Sequence, residues 1–382
     1  MLSALRSIQG LKMQRTLVSV IAKSMAPSRN TLHMASRDMS GSSRDSESRA
    51  SDLMADLWAT QNIVSESNGK IKLLKSLHMK KKREGENLIL LEGHRQVIDA
   101  LKCSDQGQGN WGECRPKYLL LTRRALEAPL GMVLLETLIK SGNDNIEIDL
   151  VEESTMRKVL SDVDSPQGVI AAFHRPKFIS AKDNTLSGSI AIDQIQSKKA
   201  PLVVLLDRIS DPGNLGTIIR TSYGFGVDSM ITVDGTCDAW SPKSIRSAMG
   251  LCLKLPILET NWKELTNIFL SNDIFRSILP GSREVVSDDH EQHVQILLAD
   301  YDESAVPYHT VDLTKPTIVV IGSEAFGISE EAQSLLSRFP NKAKKVMIPM
   351  SKGRDLESLN AAVAASVILS EVARQRDNLD NL

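Results

Sequence analysis

The stretch PLVVLLDRISDPGNLGTIIRTSYGFGVDSMITV, Pro201 to Val233, decides the fold. Its apolar opening, Leu202–Leu206, has the length and composition of a buried strand. Asp207 through Gly213 form a polar turn, and a helix is expected from about Asn214 to Phe225. Leu215, Ile218, Ile219 and Ser222 mark its packing stripe. Gly224 and Gly226 stop it before a second strand, Ser229–Val233. This strand-turn-helix-strand rhythm predicts a parallel α/β domain, in which ligands bind beyond the carboxyl ends of the strands. Asn214 is expected to cap or organise the turn, since its amide both donates and accepts hydrogen bonds. Arg220 is expected above the small Gly216, where the backbone comes close to a substrate. Its planar fork suits phosphate or carboxylate, although an isolated helical arginine equally fits a surface salt bridge.

Toward the carboxyl terminus, Ser244–Leu253 reads as a helix, Leu255–Leu258 as a short strand and the polar interval 272–291 as a surface insertion. After a strand at Val294–Leu298, the segment TIVVIGSEAFGISEEAQ supplies another at Ile318–Ile321 and a tight polar exit, Gly322-Ser323-Glu324. Gly327 permits a close backbone approach, and Ser329 with Glu330 and Glu331 has the pattern of a helix start. Glu324 could bind a ligand hydroxyl, organise loop amides or stand as an exposed turn carboxylate. In KKVMIPMSKGRDLESLNAAVAASVILSEVAR, Val346–Ile348 is a short strand. Ser358 is expected to cap the helix that follows, with Leu359, Val363, Val367 and Ile368 as its apolar surface. Three polar exits after three apolar strands imply one shared ligand site. GSEAFG is not a dinucleotide fingerprint, and GxxxxGK and GxSxG are absent, so neither hydride transfer nor ATP hydrolysis is favoured.

The amino-terminal half reads differently. Residues 1–37 hold Arg6, Lys12, Arg15, Lys23, Arg29 and Arg37 and no acidic residue, which resembles a mitochondrial transit segment; a disordered tail is the alternative. The run SGSSRDSESR at 40–49 reads as flexible linker. In IKLLKSLHMKKKREGENLILLEGHRQVIDAL, from Ile71, the residues Leu73, Leu74 and Leu77 share a helical face. Lys72, Lys75, Lys80, Lys81, Lys82 and Arg83 point outward as positive charge. The run NLILLEG is a strand, His94–Leu101 a helix, and Tyr118–Leu121 and Gly168–Phe173 further strands. These make a compact α/β module over 70–180, joined by a linker at 181–199 to the domain at 200–375. The basic run could track phosphate oxygens or be an ordinary solvated helix end.

A formal charge of -1 gives no global argument for a polyanionic partner, so local charge must carry it. Four cysteines without a C-x-x-C pair make neither a disulfide framework nor a metal site. His290 and His293 lack a third ligand, so no metal is expected. No window approaches the length of a membrane span; the stretch Ser358–Ser370 has 13 residues and better fits a packed helix, so no membrane partner is expected.

The segments DPGNLGTIIR, IGSEAFG and IPMSKGRDLESLN, from Asp211 to Asn360, resemble the ordered motifs of the SpoU/TrmH branch of the SPOUT methyltransferases. Upstream, KLLKSLHMKKKREGENLILLEG and SDVDSPQGVIAAF resemble that family's small substrate-binding domain. With the basic leader, the chain is most similar to mitochondrial large-subunit ribosomal RNA ribose methyltransferases. The resemblance implies a carboxyl-terminal domain with a deep trefoil knot, a small L30e-like RNA-binding domain before it, and a homodimer with sites near the subunit interface. It implies S-adenosylmethionine as cofactor, held by loops near Gly322, Ile348 and Leu359. Asn214, Arg220, Glu324, Ser358 and Asn360 correspond to the family's polar catalytic site, and Lys80, Lys81, Lys82 and Arg83 would meet RNA. The implied activity is methylation of a ribose 2′-hydroxyl in the mitochondrial matrix, on ribosomal RNA or an assembling large subunit. A catalytically inactive RNA-binding assembly factor and a base methyltransferase are the alternatives. The third motif departs from the family pattern, with about two extra residues between Met350 and Ser358.

Overall fold

The computed structural model describes residues 32–33, 43–59, 67–105, 114–143, 145–159, 164–176, 200–270, 294–351 and 358–380. Most of the expected leader, the linker at 181–199, the insertion at 272–291 with His290, His293, and Lys352–Glu357 lie outside them. The chain divides into two compact units. One comprises the residues to Ser76, Glu92–Leu101 and Pro116–Ala172; the other comprises Leu77–Leu91, Lys102–Arg115 and Phe173 onward.

The smaller sheet has five strands in the order β1-β4-β3-β5-β2. These are β1 Leu32–His33, β2 Leu88–Glu92, β3 Pro116–Leu121, β4 Glu147–Leu150 and β5 Val169–His174. β3 and β4 run parallel, whereas β1 meets β4 antiparallel. The expected strands are therefore present, and the helix at His94 extends to Asp105. From Ser43 onward the run SGSSRDSESR is helix and not linker: α1 spans Ser43–Ala59. Its polar run forms the opening turns, and the apolar face lies beyond, with Ala50 and Leu57 buried two turns apart.

The basic run divides between two helices, α2 Gly69–Ser76 and α3 Lys80–Glu86. Lys72, Lys75, Lys80, Lys81 and Lys82 are exposed as expected. Arg83 is not. It is 3% exposed, donates to the Leu77 and His78 carbonyls at 2.7 and 2.8 Å and ion-pairs with Asp238. An arginine so committed ties the chain together and offers no solvated face to phosphate.

The larger sheet is parallel throughout, with seven strands in the order β10-β12-β9-β11-β6-β7-β8. They are β6 Leu202–Leu206, β7 Ser229–Thr232, β8 Ile257–Glu259, β9 Gln295–Ala299, β10 Val306–Pro307, β11 Thr317–Ile321 and β12 Ala343–Met347. Central strands read LVVLL, QILLA and TIVVI because both faces of a parallel sheet are covered. On one face Val203, Leu205, Ile296, Leu298, Ile318 and Val320 pack with Trp262, Leu265 and Phe269 of the helix Trp262–Leu270. Alternation along each strand sends the intervening residues to the other face.

Two boundaries differ from expectation. The helix read as Ser244–Leu253 ends at Ser247, since Met249 and Gly250 adopt φ of 54° and 76° and reverse the chain into a short 3-10 turn, Leu251–Leu253. The strand read from Leu255 begins at Ile257, because Pro256 has no N–H to give the ladder. The helix after β6, α8, spans Pro212–Gly224; the one after β7, α9, spans Pro242–Ser247. Gly216 of α8 faces α9, where a Cβ would lie 2.4 Å from Ser247 Cβ and 2.7 Å from both Ala248 N and Ser244 O. The expectation that Gly216 opens the backbone toward a substrate is therefore wrong. It brings two helices together.

Candidate active site

The turn after β6 is set by Asp211, whose side chain accepts from the Asn214 N–H at 2.9 Å and caps α8 with Pro212 following. Asn214 is thus the third residue of the helix, and its side chain is turned to other work. Its Nδ2 donates to Glu324 Oε1 at 2.7 Å, across 110 residues of chain.

Glu324 lies in the exit of β11. Ser323 and Gly327 close that exit by exchanging backbone hydrogen bonds of 3.0 and 2.8 Å, with Gly327 at φ 62°. Gly322 has no room for a side chain, since a Cβ would stand 2.5 Å from the Gly327 carbonyl oxygen. The carboxylate is thereby held in a fixed place. Besides Asn214 it accepts from Asn360 Nδ2 and, at 2.9 Å, from the Ala361 N–H. Asn360 Nδ2 also donates to Asn214 Oδ1 at 3.0 Å.

The third exit follows β12 and ends in α12, Ala361–Asp380. Its cap is Asn360, whose Oδ1 accepts from Ala362 N and Val363 N at 3.0 and 3.2 Å. Ser358, expected to cap this helix, is exposed two residues outside it. Val363, expected on the apolar face, is 47% exposed, while Ala361, Ala362, Ala365, Ile368, Leu369 and Val372 are buried. The alanines let α12 come close to its neighbours.

Asn214, Glu324 and Asn360 therefore meet in one bonded cluster. Gly322 stands half-buried on the exit of β11, and Ile348 and Leu359 on that of β12. Arg220 is exposed on α8, roughly 9 Å along the axis from Asn214, with no hydrogen bond or ion pair among the described residues. An open groove of about 570 Å³ runs along α12, lined by Asn214, Thr217, Tyr308, Asn360, Val363 and Arg374. One hydroxyl contact joins α8 to α12: Ser366 Oγ lies 3.3 Å from Thr221 Oγ1, while Thr217 Oγ1 donates within α8 to Gly213 O and Thr221 Oγ1 to Thr217 O.

Beside these exits, Lys345 of β12 pairs with Asp300 at 2.9 Å and with Asp302, at the end of β9. The Lys345 hydrogen bond, then that of Ser304, holds the Asp302 carboxyl down at about 2. Asp207, wholly buried, accepts from Ser329 N at 2.6 Å and Trp262 Nε1 at 3.4 Å, and so ties the start of α11, Glu330–Arg338, to β6. The sequence reading missed Asp207 and the capping role of Asp211; the Asp-Pro step was the available signal for the second.

The SpoU rRNA Methylase family profile matches residues 201–277 and 276–370, and an MRM3-like substrate binding domain profile matches 68–171. The chain is 31% identical to rRNA methyltransferase 3A, mitochondrial, of Danio rerio over 326 residues, covering 77% of this chain and 65% of that one. It is 30% identical to rRNA methyltransferase 3, mitochondrial, of Xenopus tropicalis, covering 78% and 72%. Among solved structures it is similar to the AdoMet-bound rRNA methyltransferase of Sinorhizobium meliloti, with a TM-score of 0.58, 26% identity and coverage of 82% and 97%.

Proposed function

The chain belongs to the SpoU rRNA methylase family, and from that premise we propose that it moves a methyl group from S-adenosylmethionine to a ribose 2′-hydroxyl of mitochondrial large-subunit ribosomal RNA. The observation that carries this reading is the bonded cluster of Asn214, Glu324 and Asn360, which draws three distant exits into one site.

The residues present fit the cofactor. Half-buried Gly322, Ile348 and Leu359 offer backbone groups and apolar surface to a nucleoside, and the Glu324 carboxylate supplies the nearby negative charge that suits a sulfonium. When bound, S-adenosylmethionine supplies an electrophilic methyl group. The chain's part is to hold the attacking oxygen in line, which removes much of the entropic barrier. Arg220 reaches the 2′-hydroxyl or its adjacent phosphate from a partner subunit and, while the 2′-proton leaves to water by way of that phosphate, stabilises developing oxygen charge. It is no ordinary base, because it holds its proton too tightly. Asn214 and Asn360 orient the RNA and the binding loops, Glu324 fixes both amides, and Ser358 faces the same site from its loop.

The same reading makes the chain a homodimer. The groove along α12, with exposed Val363 on its rim and uncommitted Arg220 on α8, supports a second copy seated there. It also gives the carboxyl-terminal domain, 200–375, a trefoil knot and the module at 70–180 an L30e-like fold; the parallel strand order and the matched profile over 68–171 support these. The leader at 1–45 directs the protein to the mitochondrial matrix, in keeping with the mitochondrial relatives. Lys80, Lys81 and Lys82 contact RNA phosphates, and no helix among the described residues is long and apolar enough to cross a membrane.

The test is transfer of labelled methyl to mitochondrial ribosomal RNA, followed by nucleoside and position mapping. Label in a nuclease-resistant 2′-O-methyl dinucleotide is expected, with sharply reduced transfer but retained cofactor affinity in Arg220→Ala. Label on a base, or none at all with RNA bound, would sink the proposal.

A further inference from the structure

We infer that Arg208 is a preset clamp for a phosphate of the RNA substrate, an inference that rests on the RNA reading above. Arg208 adopts φ 61°, the left-handed region that non-glycine residues seldom occupy. Such strain persists only where surroundings enforce it, and it concentrates at functional positions. Here the surroundings are explicit. The Arg208 N–H donates to Thr236 Oγ1 at 3.1 Å, and that hydroxyl donates to the Leu206 carbonyl at 3.0 Å. The aliphatic stem rests on Gly235, itself at φ 86°, where any Cβ would approach Arg208 Cγ to 2.8 Å. Backbone and stem are both fixed before any ligand arrives.

The position suits an anion that must lie beside the active site. Leu206 pairs with Ile321 in the sheet, and the Asp207 N–H donates to Ile321 O, so Arg208 leaves β6 next to the Gly322 exit. The same turn runs on to Asn214, six residues ahead. The simpler explanation is that Arg208 neutralises buried Asp207. That role is met by Nε alone. Arg208 Nε lies 3.9 Å from Asp207 Oδ1, a long ion pair outside hydrogen-bond distance, and the carboxylate takes its hydrogen bonds from Ser329 and Trp262. The side chain is 38% exposed, and its two terminal amino groups make no hydrogen bond among the described residues. A guanidinium whose fork is free and whose stem is fixed matches the bidentate geometry of a phosphodiester.

Arg208→Gly separates the roles, because glycine takes the left-handed conformation without strain. A mixed-sequence single-stranded oligoribonucleotide serves as probe, titrated by anisotropy across a salt series. The expected result is an affinity loss of roughly tenfold, a log-log salt slope shallower by about 0.7, and a melting temperature equal to or above that of the parent. Arg208→Lys should keep the slope but recover only part of the affinity. S-adenosylmethionine affinity, read by calorimetry, should not move. Unchanged RNA affinity and slope overturn the inference, as does a marked fall in melting temperature, which would return Arg208 to a structural role. A selective loss of cofactor binding also overturns it, by assigning the fork to the cofactor carboxylate. If the parent binds RNA without methylating it, the family reading of activity fails while the clamp is still tested.

Discussion

Replacing Gly216 with alanine sets two effects of known size against each other. Alanine is the better helix former, by about 1 kcal/mol in a helix interior. Yet its methyl group would sit 2.4 Å from Ser247 Cβ and 2.7 Å from Ala248 N and Ser244 O, against ordinary contacts of roughly 3.4 Å or more. Two of those neighbours are backbone atoms of the α9 turn, so relief requires α8 and α9 to separate by up to about 1 Å. Overpacking of this kind costs about 1–3 kcal/mol and more where backbone must move. The clash wins. Gly216→Ala should lose about 1–2 kcal/mol net, a melting-temperature fall of roughly 3–8 °C by circular dichroism, with a matching drop in the guanidinium midpoint. Since α8 carries Asn214 and Arg220, transfer at saturating RNA should fall further than stability alone explains. A variant melting at or above the parent temperature would refute the claim that this glycine sets the helix spacing.

Glu324→Gln preserves size but gives the two asparagine amides and the Ala361 N–H a neutral partner, and charge-assisted bonds are about twice as strong as neutral ones. Because the cluster is exposed to water, the melting temperature should shift by no more than about 2 °C, while turnover falls roughly 10- to 100-fold through misplacement. Parental turnover would end the positioning argument. Changing Lys80, Lys81 and Lys82 together to alanine should weaken RNA binding and flatten its salt dependence by up to about 2 in slope; an identical slope would count against these contacts. Asp302 ionises near 2 when folded against a usual 3.8, so its pairing with Lys345 is fully stabilising above about pH 4 and is lost as the pH falls toward 2. Asp302→Asn should therefore narrow the gap between its own stability and the parent's over that window in acid titrations. A constant gap would show the pair contributes nothing.

Much of this was legible because parallel strands buried on both faces are read as unbroken apolar runs: Leu202–Leu206 and Ile318–Ile321 fall within one residue of the strands found. Asn214, Glu324 and Asn360 were legible as polar residues at strand exits, although their mutual bonds span up to 146 residues and no local pattern encodes them. Capping failed at Ser358 and Asn214 for one reason. Several residues near each helix start can accept an amide hydrogen bond, and the chain path chooses among Asp211, Asn214, Ser358 and Asn360. Arg83 failed because a basic run looks alike whether its charges meet water or a buried carboxylate such as Asp238. The helix at Ser43–Ala59 was hidden by its polar opening turns.

The carboxylate that joins the first turns of α8 and α12 has a thermodynamic consequence. Asn214 of the first turn of α8 and Asn360, the cap of α12, are bonded to each other and to Glu324, and Ser366 touches Thr221 further along. Neither first turn can fray without releasing the other, so amide deuterium uptake at both should follow a single opening equilibrium. A ligand that orders one first turn should then also slow exchange in the other, which is positive coupling without a change of fold.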